Sequence, residues 1–251
     1  MTTSTESVSN QDTRPLWLHL FGMIDRPVAT FEAVLKQRKW FTWALPLFVV
    51  IVAFVIVTVI HTPYMLEMSR EALEEQLATM PPEQAEAVRE TTKFTLSLPF
   101  MLTTGLGVGI AVIILGTLIQ SAFFYFGALI LGGDDVNFRP VFTMSAWARI
   151  PIAIGYLVQA VLIFITKSSL YPGVSFLITT GNLMKDAKNP LFVLLSNIDI
   201  FRLWYILLAV LGLSVVARIS RGKSLILVVI YAILAIGIMV GPTLLFSGMA
   251  G

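Results

Sequence analysis

Charged positions along this chain are gathered into short segments that separate long apolar blocks. No Asp, Glu, Lys or Arg occurs from Trp43 to Ile60, Phe94 to Leu131, Ile150 to Ile165, Leu203 to Ala217, or from Leu225 to the C-terminus. A helix crossing a bilayer core needs about 20 predominantly apolar residues. The shortest blocks reach that length through flanks such as Arg149, Lys167 and Arg202, whose stems lie along apolar surface while the charges reach water. The pattern predicts an all-α polytopic membrane bundle of five transmembrane spans with interfacial amphipathic helices.

Ahead of the first block, Trp17, Leu20, Phe21 and Ile24 fall on one helical face, and Phe31, Val34 and Leu35 on another. Both segments are too short to span and suit the interface. Trp40 and Trp43 fall at the headgroup level, where Trp concentrates. The chain therefore divides into a disordered tail at 1–14, cytoplasmic interfacial helices at 15–41 and a membrane domain at 42–246. The tail has no basic region followed by an apolar one and is not expected to be a cleaved signal peptide.

Within the membrane domain, Pro81-Pro82 splits the one long hydrophilic segment, which carries seven Glu residues, into an acidic helical hairpin at 64–95. Pro82 suits a first helical position, and Glu83 and Glu86 suit the positive end of that helix. The block after the hairpin would make a helix of about 50 Å. It must tilt, project or break near Gly105, Gly107 and Gly109. The third span is expected to open at Arg149-Ile-Pro151, and Pro190 to Ile198 to form a short interfacial or re-entrant helix. Lys and Arg number ten on the side of the N-terminus and seven on the other, which places the N-terminus in the cytoplasm and the hairpin and C-terminus outside.

Composition agrees with a membrane address: 57% hydrophobic and 13% charged residues, against roughly a quarter charged in soluble domains, and a mean hydropathy of +0.85. The net charge of +2 is too small to suggest nucleic acid, and the absence of Cys excludes disulfides and thiolate chemistry. No cofactor or metal is expected. His19 and His61 fall on opposite faces of the membrane, no catalytic motif is present, and no Asp or Glu lies within a span.

What the spans do contain is Gln120, Ser121 and Tyr125 in the second and Gln159 in the third. Interhelical hydrogen bonding accounts for them more simply than a substrate path. Gly105 to Gly109 and Gly237 to Gly241 are GxxxG pairs that permit close helix approach, more simply within one chain than in a dimer. Asp134 and Asp135 are placed to pair with Arg139 or Arg149, and Asp199 to cap the fourth span. Two basic groups, Lys36, Arg38 and Lys39 and then Arg218, Arg221 and Lys223, are the candidate contacts to anionic lipid or a partner at the cytoplasmic face.

Several of these segments together resemble one family. They are Pro27-Val-Ala-Thr-Phe31 before an amphipathic helix and a Trp-flanked span, Phe138 to Pro151 feeding a span through proline, and Asn197-Ile-Asp-Ile-Phe-Arg-Leu-Trp204 running into Gly212-Leu213 and Ser220-Arg-Gly-Lys223. They look like the Yip-one (Ypt/Rab-interacting protein) domain family of multi-pass membrane proteins. With Met80-Pro-Pro-Glu-Gln84 added, the bacterial branch is resembled most closely. The positions that carry the likeness are Pro27, Phe31, Pro151, Asn197, Asp199, Phe201, Trp204 and Gly212. The resemblance implies five spans, a cytoplasmic N-terminus and a bacterial plasma membrane. Eukaryotic relatives are linked to Rab GTPases and vesicle traffic. The Asp-Leu-Tyr-Gly-Pro type motif of their cytoplasmic region is absent from this sequence, so Rab binding is not carried over.

The expected function is that of a non-enzymatic integral membrane protein that scaffolds membrane-protein partners or organises the bilayer. The alternative is a small transporter, channel or lipid-handling protein with a polar path between the second and third spans, lined by Gln120, Tyr125 and Gln159.

Overall fold

The computed structural model describes residues 15–37, 39–168, 173–181 and 183–247, and among them there are helices and no strands. A 3-10 turn at Leu16–Leu18 leads into α1 (His19–Asp25) and α2 (Pro27–Lys36). The first span belongs to α3 (Phe41–Leu77), which is followed by α4 (Pro82–Lys93) and the second span, α5 (Leu98–Ile130). The third combines α6 (Phe138–Ala148) and α7 (Ile150–Thr166). After a loop holding a 3-10 turn (Ser175–Leu177), α8 (Leu183–Ala187) and α9 (Pro190–Leu195), the last two spans are α10 (Ile200–Ala217) and α11 (Arg221–Ser247). Five helices are long and apolar enough to cross a membrane, as the charge pattern predicts.

The two arms on either side of Pro81-Pro82 form, but the first is a direct continuation of the first span. At 37 residues α3 is about 55 Å long. The returning arm is tied to it by Arg89, which reaches Glu74 of α3 at 2.9 Å and also pairs with Glu86 of its own helix at 3.4 Å. These carboxylates hold the Arg89 guanidinium above its usual range, but pairs as exposed as these add little to stability. The second apolar block is one unbroken helix of 33 residues. Its glycines do not interrupt it, because hydrocarbon offers a broken helix no replacement hydrogen bonds. Gly109 instead admits a neighbour: a Cβ there would stand 2.0 Å from Cζ of Phe54 on α3. The first GxxxG pair is therefore a contact within the chain, whereas Gly237 and Gly241 have nothing within 4 Å.

The third span differs from expectation. It does not begin at Arg149; α6 and α7 make one span from Phe138 to Thr166 with Arg149 inside it. Arg139 and the hydroxyls of Thr143 and Ser145 give α6 the look of a loop, yet Val141, Met144, Trp147 and Ala148 bury as a helix face. Pro151 has no N–H for the Trp147 carbonyl, so the joint tightens: Arg149 N–H donates to Ala146 O at 3.2 Å and Ile152 N–H to Arg149 O at 2.9 Å. The Trp147 indole donates to the Thr42 carbonyl at 2.8 Å and fixes α6 to the start of the first span.

The loop between the third and fourth spans closes around Asp186. Burial pushes its carboxyl up, but hydrogen bonds from Thr179, Thr180 and Gly181 outweigh that and hold it below the usual carboxylate range. Asp199 caps α10 as expected, accepting from Arg202 N–H at 2.8 Å.

The largest core gathers where α2, α6 and α10 meet, around Phe31, Met144, Trp147, Leu208 and Leu213. Gly212 makes that meeting close: a Cβ there would lie 2.6 Å from Met144 Cγ and 2.8 Å from Phe31 Cζ. Gly212→Leu is therefore expected to destabilise the protein by about 1–3 kcal/mol through overpacking. Gly237→Leu, made where nothing lies within 4 Å, is the matched control. Thermal unfolding in detergent measures both, and equal melting temperatures would contradict the packing described.

Candidate functional site

The apolar register of α6 and α7 carries Arg149 into the bundle. Counting along the helices, it lies 11 residues from Phe138, or about 16 Å at 1.5 Å per residue. Exposed apolar side chains lie on both sides of it along the bundle: Phe126, Ile130, Leu225 and Ile226 toward one end, Leu157, Val161 and Phe164 toward the other. The guanidinium thus lies within the apolar zone, and the expectation that every span is free of ionisable groups is corrected. The reason it looked like a flank is the Pro two residues later, which reads as a span beginning.

Three helices converge on this cation. On α5, the fully buried Gln120 accepts from Arg149 Nη2 at 2.7 Å. From α10, the Tyr205 ring lies 5.8 Å from the guanidinium carbon. Tyr231 on α11 lies close to the same group. Among the described residues no carboxylate is within ion-pair distance of Arg149. Its Nε and the Gln120 Nε2 are buried without a hydrogen-bond partner, as is Ser145 Oγ one turn earlier. An Arg at a helix centre in the membrane costs about 2.5–3.5 kcal/mol. A hydrogen bond to a charged group returns about 1.5–3 kcal/mol and a desolvated cation–π contact about 2 kcal/mol. The neutral neighbours therefore roughly offset the charge.

The other polar residues of the spans do not join this centre. The Tyr125 ring packs edge-on against Phe126 and Phe138, at 5.1 and 6.0 Å. Gln159 lines a recess between α7 and the start of α10. Gln120, Tyr125 and Gln159 consequently occupy three surroundings, and Gln159 faces the fourth span rather than the second.

The α1–α2 end of the bundle is built differently. Helix α1 buries His19 and Met23, with the His19 ring 6.5 Å from that of Trp147. The opposite face exposes Phe21 (64%) and Ile24 (53%), joined by Trp17 (56%) of the preceding 3-10 turn, while Leu20, expected on that face, packs partly against the core. Lys36 at the end of α2 and Lys39 beyond it are exposed, the latter 5.5 Å from the Phe41 ring; Arg38 lies outside the described residues. Of the second basic group, Arg221 is exposed at the start of α11. Arg218 sits 3.5 Å from Asp134, and Lys223 Nζ donates to the Leu131 carbonyl at 2.7 Å. The expected partners of Asp134 were Arg139 or Arg149; the left-handed turn at Arg218 (φ 53°) brings Arg218 there instead. The resemblance-bearing positions are also structural here: Pro27 and Pro151 open helices, Phe31 meets Gly212, Trp204 packs on the main core, and Phe201 closes on Gly155.

Removing the Gln120 amide strands the guanidinium. Gln120→Leu is expected to lower stability by about 2–3 kcal/mol, and the double variant Gln120→Leu with Arg149→Met to recover most of that loss. Melting temperatures of both in detergent decide it; a double variant no better than the single would show that the two residues are not energetically coupled.

Comparison with known proteins gives one match. Residues 21–242 match the family model described as the Yip1 domain. No curated protein matches the chain, and neither does any solved structure.

Proposed function

The chain belongs to the Yip1 domain family, and we propose that it serves as a non-enzymatic organiser of the membrane in which it sits. The observation that carries this reading is the two-faced segment formed by the 3-10 turn at Leu16–Leu18 and α1. Its inner face is fixed to the bundle through His19 and Met23, so Trp17, Phe21 and Ile24 are presented at a set angle to the interface. A rigidly attached amphipathic helix embeds its apolar face at the boundary of headgroups and acyl chains. Inserted into one leaflet only, it expands that leaflet and favours curvature. The exposed Lys36, Lys39 and Arg221, with Arg38 in the same stretch of sequence, add attraction to anionic lipid at that face, about 1 kcal/mol per cation near the surface. We place that face in the cytoplasm and the protein in a bacterial plasma membrane, on the distribution of Lys and Arg and on the family likeness. Membrane-protein partners would dock on the same face.

The second reading, lipid or solute handling, is favoured by Arg149, a half-buried cation facing neutral groups. Proteoliposomes discriminate the two. Movement of labelled lipid or ions that stops in Arg149→Met would support handling; no movement with altered vesicle shape would support organising.

For the preferred reading, wild-type protein is expected to yield smaller or tubulated vesicles by electron cryo-microscopy. The triple variant Trp17→Ser, Phe21→Ser, Ile24→Ser, with an unchanged melting temperature, should leave them large. Equal vesicle sizes would overturn the proposal. Separately, changing Lys36, Arg38 and Lys39 to Gln is expected to reduce anionic-lipid enrichment in mixed nanodiscs roughly tenfold or more, given about 1 kcal/mol per charge, with unchanged enrichment as the contrary result.

A further inference from the structure

The recess that holds Gln159 lies at the far end of the bundle from the interfacial helices, and the organising role does not use it. It is an open recess of about 320 Å³ between α7 and the first turn of α10. Two opposite charges line it, Asp199 and Arg202, and they do not form an ion pair with each other. Each is held elsewhere. The Asp199 carboxylate accepts from the backbone N–H of Arg202 at 2.8 Å and caps the helix. The Arg202 guanidinium donates through Nη1 to Oδ1 of Asn197. Asn197 is itself buried and anchored, its Nδ2 donating to the Val193 carbonyl at 2.7 Å.

The rest of the recess grades from polar to apolar. Tyr156, Gln159 and Ser196 supply hydrogen-bonding groups beside the charges. Val158 and Leu162 continue along α7 toward the lipid-facing surface made by Leu157 and Val161. The floor is shallow because Gly155 lets Phe201 come close; a Cβ at Gly155 would be 2.9 Å from that ring. Gly173, at φ 59° with three carbonyl oxygens within 3 Å of where its Cβ would be, closes the edge. Arg202 stands in the first turn of a span, the level at which lipid phosphates lie.

The geometry points to a binding site for a zwitterionic phospholipid carrying a primary ammonium, of the phosphatidylethanolamine class. Its phosphate would be taken by the Arg202 guanidinium, its ammonium by the Asp199 carboxylate, and its first acyl chain would run along Val158 and Leu162. A purely anionic headgroup meets the Asp199 charge without compensation. A choline headgroup brings a cation that cannot donate a hydrogen bond. The Asn-Ile-Asp-Ile-Phe-Arg stretch from Asn197 to Arg202 is thus the frame of one site: an orienting amide, an acid that also caps, a ring for the floor and the cation.

Native mass spectrometry of protein exchanged between nanodiscs of phosphatidylethanolamine, phosphatidylcholine and phosphatidylglycerol tests this. Wild type should retain the ethanolamine lipid about tenfold over the other two. Asp199→Asn keeps the helix cap, since Asn caps as well as Asp, and should lose the preference for ethanolamine over glycerol while still holding phospholipid. Arg202→Gln should lose retention of all three. Leu162→Trp, which fills the apolar half, should weaken retention without changing the order of preference. Water-soluble glycerophosphoethanolamine should fail to displace the lipid at equal concentration; efficient displacement would show that the headgroup alone binds and overturn the acyl-chain half. Variants retaining the same lipids as wild type, with melting temperatures intact, would overturn the site altogether.

Discussion

Hydrocarbon offers no replacement for water, so every peptide group in a span must be satisfied within its own helix. The rest of this structure depends on that constraint. It keeps α5 continuous through Gly105, Gly107, Gly109 and Gly116, residues that would weaken a helix in water by roughly 1 kcal/mol each. It also dictates how Pro151 is accommodated. With one N–H missing, the chain tightens through Arg149 and Ile152 and does not unwind, so α6 and α7 remain one span. Arg149 is carried inside because the helix does not end before it.

Once a cation is placed there, its surroundings follow. Gln120, Tyr205 and Tyr231 come from three different helices and meet at one guanidinium. Ridge-and-groove packing of apolar side chains alone leaves helices free to slide or rotate by small steps at low cost. A hydrogen bond of 2.7 Å and a ring contact fix depth and rotation together. The Trp147 indole on the Thr42 carbonyl does the same for the first span. The bundle is thus registered by a few polar contacts within a largely apolar interior, and its close approaches at Gly109 and Gly212 are possible because those contacts hold the helices in place.

Much of this was legible in the sequence, and the failures have physical reasons. Uncharged length gave the five spans, Pro81-Pro82 gave the hairpin, and Asp199 gave the cap of α10, because each depends on local chemistry. Arg149 was misread because a charge beside a proline carries the same sequence signal whether the span begins there or merely bends there. The grouping of Gln120, Tyr125 and Gln159 failed because composition does not reveal the rotation of a helix. Gln120 and Tyr125 are five residues apart on α5 and so point in different directions, toward Arg149 and toward Phe138. The recess at Arg202 was hidden for another reason. Its parts come from α7, from the residues before α10 and from a glycine in the connecting loop, and only the fold brings them together.

The sign of the charge inside the spans bears on what this protein can do. Arg149 meets neutral groups, the Gln120 amide and the Tyr205 ring. The interior around it therefore carries a positive charge that these neighbours do not neutralise. At low dielectric a fixed cation repels other cations strongly, and an arginine in a narrow passage is a known means of excluding protons and cations. A carboxylate paired with Arg149 would cancel that repulsion, and none is within ion-pair distance among the described residues. What the interior does favour is a phosphate or another anion approaching from the lipid. Were a solute to reach Arg149, that charge would favour lipid phosphates and other anions over cations.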